Sequence, residues 1–143
     1  MSPGAAAVLA ACELVLSDPR SGAELQRLPL PAPELVLAFE HSVLGTPVAD
    51  RYVFRRGAGD AWRAHLVEER FEGQGYGLPH AAGAGETLVR DGPGWRLGTD
   101  REVHPLVVRT LPAQRMRLVV AGREWPLAQW SATAVAFQVQ GCP

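Results

Sequence analysis

Lysine, isoleucine and asparagine are missing from this chain of 143 residues, so every one of its 14 basic residues is arginine. The scatter of those arginines fits base composition in a GC-rich gene better than selection for guanidinium chemistry. Acidic residues number 15 and the net charge is -1. No basic face is therefore left over to neutralise a phosphate backbone, which argues against nucleic acid as a partner. No run approaches the ~20 apolar residues of a transmembrane helix. Only two cysteines are present, Cys12 and Cys142, at opposite ends of the chain. That spacing excludes the paired-cysteine metal motifs. Helical periodicity of 3.6 residues is also lacking over any useful length.

What remains is a globular composition, 47% hydrophobic and 20% charged, in a chain of single-domain length. Short apolar alternations recur, broken by Gly, Pro, Asp and Ser, which is the signature of an all-β fold. The expected strands are 13–17, 25–30, 34–42, 48–55, 62–71, 86–90, 94–97, 103–110, 115–120, 124–127 and 132–140. About ten short antiparallel strands predict a β-sandwich or a partly open β-barrel. The twelve prolines suit edges and turns, where a missing donor does no harm.

Residues 1–12, MSPGAAAVLAAC, read as an Ala-rich lead-in to a single β domain over 13–143. The run ending Leu-Ala-Ala-Cys resembles the lipobox of an exported bacterial lipoprotein, with Cys12 as acceptor, although no basic residue precedes it. Membrane association would then require lipidation of Cys12. Alternatively Cys12 and Cys142 form a disulfide, since domain termini often lie close together. Both outcomes place the protein in the periplasm or cell envelope; two unpaired thiols would suit the cytoplasm equally well.

The segment EHSVLGTPVADRY, residues 40–52, raises the central question. Leu35, Leu37 and Phe39 alternate inward and lead to His41, and the chain returns carrying Asp50 among Tyr52 and Phe54. If Ser42 and Pro47 close this hairpin, His41 pairs with Val48, Phe39 with Asp50, Leu37 with Tyr52 and Leu35 with Phe54, all on the core face. Continuing the ladder pairs Phe54 with Ala64, Tyr52 with Leu66, Asp50 with Glu68 and Val48 with Arg70. His41, Asp50, Glu68 and Arg70 then converge at one end of the inner face. A bulge near Leu66-Val67 would exchange Glu68 for Glu69. Beyond Arg70 lies a long glycine-rich loop, 72–86, with Gly75, Tyr76 and Gly77 near its start; loops of this length in a compact domain are usually functional or disordered.

Three readings fit such a cluster. It is a salt-bridge network plugging an open end, a small-ligand or protein-contact site capped by the glycine loop, or a metal or acid/base site built from His41, Asp50 and Glu68. A serine-hydrolase reading of His41-Ser42 with Asp50 fails, because adjacent strand residues point to opposite faces. Gly73 to Gly77 precedes no helix, which argues against a nucleotide-phosphate loop as well. His65 is expected on the outer face and His104 at an edge.

These residues resemble a bacterial family known as domain of unknown function 1850. The resemblance rests on His41-Ser42, Pro47, Asp50 with Tyr52, then Leu66-Val67-Glu68, Phe71 and Gly75-Tyr76-Gly77-Leu78-Pro79, and extends from about Glu13 onward. The family usually carries Glu where Asp50 stands and Ala where Tyr76 stands. The resemblance implies a small exported β-protein whose relatives are often encoded beside tripartite (TRAP-type) solute transporters, and it implies no established activity or cofactor. The resulting expectation is a non-enzymatic accessory that binds a transporter component or a small solute through His41, Asp50, Glu68, Arg70, Gly75, Tyr76 and Gly77. The alternative is a metal-dependent or acid/base enzyme using His41, Asp50 and Glu68.

Overall fold

A computed structural model describes residues 12–143; the apolar run before Cys12 lies outside the described residues. Eleven strands form: β1 (Cys12–Ser17), β2 (Glu24–Leu30), β3 (Glu34–Glu40), β4 (Pro47–Arg56), β5 (Trp62–Phe71), β6 (Thr87–Asp91), β7 (Gly94–Val103), β8 (Leu106–Arg109), β9 (Arg117–Val120), β10 (Arg123–Pro126) and β11 (Ala134–Gln140). They assemble into a four-stranded sheet of order β2-β1-β11-β8 and a seven-stranded sheet of order β10-β9-β3-β4-β5-β7-β6. Every pairing is antiparallel. The fold is a sandwich and does not close into a barrel.

Alternation within each strand explains the layering. In β11, Val135, Phe137 and Val139 are buried while Gln138 and Gln140 are exposed. Leu14 and Leu16 of β1 point the same way and meet Leu35, Leu37, Leu118 and Val120 of the large sheet in one core. A buried leucine contributes roughly 1.5–3 kcal/mol by removing its hydrocarbon from water, so this inter-sheet layer dominates the stability. Pairing of β1 with β11 brings the two ends of the domain together. Cys12 and Cys142 form a disulfide, with Cα atoms 4.3 Å apart across a sequence separation of 130.

Turn chemistry sets the hairpins. Asp18 Oδ1 accepts the amides of Arg20 at 2.8 Å and Ser21 at 2.9 Å, which organises the β1–β2 turn. The β9–β10 hairpin is tighter than the three-residue connection expected: Val120 pairs directly with Arg123, leaving Ala121 and Gly122 at φ 50° and 79°. Two left-handed residues match the twist of a two-residue hairpin.

One departure from the expected strands lies at the crossing between the sheets. The sequence pattern predicts two strands within 94–110, broken after Leu97, yet β7 continues to Val103 and the break falls at His104-Pro105. Pro105 has no amide to extend the ladder. The chain leaves the large sheet there and enters the small one as its edge strand β8.

Register departs too. In β3–β4, Leu35 pairs with Tyr52, Leu37 with Asp50 and Phe39 with Val48. The hairpin is thus two residues out from the expected pairing, because the loop runs from His41 to Thr46 instead of Val43 to Thr46. Since two is the side-chain period, the inner face keeps its membership. In β4–β5, Phe54 with Ala64 and Tyr52 with Leu66 pair as expected, but a bulge at Val67 then shifts the ladder. Arg51 opposes Glu68, Asp50 opposes Glu69, and Val48 opposes Phe71. One extra residue turns every later side chain of β5 over.

Candidate functional site

The bulge disperses the cluster expected from sequence. Glu68 and Arg70 lie on the outer face, where Arg70 Nε is 2.7 Å from Glu68 Oε1 and Arg51 Nε is 3.9 Å from Glu68 Oε2. His41 falls just past β3, in the hairpin loop. Its Nδ1 accepts the amides of Val43 and Leu44, both at 3.2 Å, so the ring proton sits on Nε2, which donates to the Tyr76 carbonyl at 3.0 Å. Among the described residues no group of three or more His, Cys, Asp or Glu side chains is placed to hold a metal ion. The trio His41, Asp50 and Glu68 is therefore not assembled as a ligand set.

The glycine loop does come to the inner face. Leu78 packs with Phe39, Leu88 and Trp95 on a small core of Val48, Phe71 and Leu97. This covers the part of the large sheet that the small sheet leaves bare. The loop is pinned at its start by Thr46 Oγ1, which donates to the Glu72 carbonyl at 2.9 Å, and further along by His41. At its end, Glu86 accepts the Gly83 amide at 3.0 Å and the Thr99 hydroxyl at 2.6 Å. Gly75 and Gly77 have φ of 85° and 87°, a region open to residues without a Cβ. They flank Tyr76, whose ring is exposed. His65 is on the outer face as expected, with Nδ1 2.8 Å from Asp100 Oδ1.

Between the two apolar clusters lies a polar seam that the sequence pattern reveals only in part. Asp50 and Glu69 are opposed on neighbouring strands and share the inner face. Asp50 Oδ1 is enclosed and has no hydrogen-bond partner. Burial first, and the Glu69 charge second, push the Asp50 carboxyl up to about 7, against a smaller opposing pull from Arg101. Glu69 is also raised, chiefly by burial, and burial raises the Tyr52 phenol. Arg101 is the nearby cation, its Nη2 3.9 Å from Glu69 and 3.6 Å from Glu86. Sequence reasoning raises Glu69 only as the alternative a bulge would bring in, and it misses Arg101 and Glu86. The adjacent acids Glu68-Glu69 carry the signal for the first, whereas β7 running past Leu97 hides Arg101.

Asp50 opens onto a cavity of about 330 Å³ whose other walls include Leu37, Phe39, Tyr52, Val103 and Met116. The crossover from β7 to β8 supplies part of its wall, through Val103, Leu106 and Val108. Volume alone does not choose this cavity. A larger depression of about 470 Å³ lies near the disulfide, lined by Arg56, Asp60, His104 and Gln138 among others, but those polar groups are exposed and solvated. The Asp50 cleft combines apolar walls with an unsatisfied carboxylate oxygen, the usual composition of a small-molecule site.

No curated protein matches the chain, and no solved structure does. A family model described as Domain of unknown function (DUF1850) matches residues 35–127, well over half of the chain. That interval holds nearly all of β3 and the strands through β10, and with them the Asp50 cleft, the bulge at Val67 and the glycine loop tied to His41. The chain belongs to the DUF1850 family.

Proposed function

We propose that this protein is a non-enzymatic binding domain of the cell envelope, an accessory to solute uptake, that takes a small solute into the cleft between its sheets. One observation carries the reading: the Asp50 carboxylate lines an apolar cavity, and one of its oxygens is enclosed without a donor. Buried polar atoms are almost always paired, and leaving one unpaired costs about 1–3 kcal/mol. A group retained at that cost marks a site that something else completes.

The Cys12–Cys142 bond supports an oxidising compartment, since such bonds are rare where thiols are kept reduced. Disulfide and lipid are alternative fates of the same sulfur, so the disulfide-bonded form is a periplasmic domain without a lipid anchor at Cys12. The link to a tripartite transporter rests on the family's usual genomic company. His41, Gly75, Tyr76 and Gly77 then serve as the flap and its tether, and Glu68 with Arg70 as an outer-face ion pair open to a protein partner.

A second reading draws on Asp50 alone. A carboxyl held near 7 beside another acid suits general acid/base work. Turnover of a solute would favour it; saturable binding without chemical change favours the first.

Plugging the cleft tests the proposal. Val108 lines the cleft from the edge strand β8, half-buried and opposite the inward-facing Val135, so Val108→Trp fills the cleft from the edge of the small sheet. Solutes extracted from the envelope should shift amide resonances of Val103, Val107 and Met116 in the wild type and leave the variant unchanged. Equal responses in both proteins would place binding elsewhere.

A further inference from the structure

We propose that the cleft takes an organic cation, a protonated amine on an apolar body, which seats against Asp50 with Glu69 behind it and replaces Arg101 as counter-ion. This rests on the reading of the cleft as the ligand site and adds the chemical class of the ligand.

The cavity walls set the shape of the guest. Leu37, Phe39, Val103, Leu106 and Met116 supply hydrocarbon and no strong side-chain hydrogen-bond partner, so a guest must carry an apolar body. Its polar end meets the Asp50 carboxylate at the cavity wall, whose enclosed Oδ1 accepts from nothing in the protein and leaves the group's charge uncompensated. An anionic guest would face two carboxylates on adjacent strands. A neutral hydroxyl could donate one hydrogen bond but would leave the second acid uncompensated. An ammonium supplies three donors and the missing charge together.

The surrounding charges agree. Glu69 and Tyr52 face the same seam, and Arg101 touches Glu69 only at 3.9 Å while reaching Glu86 at 3.6 Å. Arg109 lines the cavity rim but is exposed and makes no ion pair with Asp50. The intrinsic cation is thus shared with Glu86, and its side chain is 57% exposed. Moving it wholly onto Glu86 requires little rearrangement. Glu86 also fastens the end of the glycine loop through Gly83 and Thr99, so an arriving amine strengthens the ion pair that holds the flap. Burial holds the Asp50 carboxyl near 7; a bound cation would lower it.

Three probes of one shape test this on the intact, disulfide-bonded protein: benzylamine, benzyl alcohol and benzoate, titrated calorimetrically at pH 8. Benzylamine should bind at least ten-fold tighter than benzyl alcohol, and benzoate weakest. The amine preference should vanish in Asp50→Asn, fall in Glu69→Gln, grow in Arg101→Met, and weaken as pH drops from 8 to 5.5. Amine and alcohol binding equally, with both blocked by Val108→Trp, would overturn the cation while leaving the cleft as the site. A folded protein that binds none of the three would overturn both. Asp50→Asn is isosteric, and circular dichroism with the Glu69→Gln result guards against loss of fold.

Discussion

His41 Nε2 stands 3.0 Å from the carbonyl oxygen of Tyr76, and this one bond joins the β3–β4 hairpin loop to the glycine loop. The same ring accepts two amides of its own loop at Nδ1. His41 therefore orders its own turn and holds the flap. His41→Ala should leave the sandwich intact, cost on the order of 1–2 kcal/mol, and raise amide exchange at residues 75–79 before any other segment. Nitrogen chemical shifts of the wild type should report the neutral Nε2–H form. A pattern with the proton on Nδ1 would contradict the assigned network.

Asp50 gives the protein an unusual pH profile. Its folded carboxyl titrates at about 7 against an ordinary 3.8, so folding favours the protonated acid. The associated stability is complete below pH ~4 and is lost as pH rises through 7, with Glu69 acting in the same direction. Asp50 alone sets a change on the order of 4 kcal/mol from pH 4 to 8, and Glu69 adds to it in the same direction. Urea midpoints should fall between pH 5 and pH 8 in the wild type and fall by much less in Asp50→Asn, where only Glu69 remains. The carboxylates of Asp18, Glu86 and Asp100 are held below their ordinary values, and they act below that window with the opposite sign.

The disulfide closes nearly the whole chain. For a loop of this length the entropic model gives about 4–5 kcal/mol. Cys12→Ser with Cys142→Ser should lower stability by that order, and reductant should do the same to the wild type. The paired β1 and β11 should then exchange faster than β3 and β4. If the double variant melts unchanged, the bond adds nothing to the strand pairing.

Leu78 is the anchor of the glycine loop on the core of Val48, Phe71 and Leu97. Leu78→Ala should cost about 2 kcal/mol or less, because the side chain is only partly buried. Limited proteolysis should cut within 72–86 in the variant first. Phe71→Ala, at 2% exposure, should cost about 3–5 kcal/mol and lower the global midpoint as well.

Much of this fold is legible in the sequence because a period of two is hard to disguise. Leu35, Leu37 and Phe39 declare an inner face, and so do Val135, Phe137 and Val139 of β11. The β3–β4 hairpin keeps its parity for that reason, even though the pairing slides by two residues. Loop length is the hidden variable: nothing in His41 to Thr46 announces six residues rather than four. At Val67 the sequence is ambiguous, because Glu68, Glu69 and Arg70 offer acceptable charges to either face. Only the ladder with Arg51 and Asp50 decides which acid turns inward. The strand order β2-β1-β11-β8 is non-local, and local pattern carries no information about it. Arg101 reaches the seam only because β7 runs on to Val103, a length that the Gly98 in its middle conceals.

The bond between Cys12 and Cys142 also determines how the domain transmits force. A pull applied at those two residues runs through a covalent link a few ångströms long, so none of the strands between them bears load. The sandwich behaves as an inextensible bead, and tension along the polypeptide leaves the Asp50 cleft undeformed.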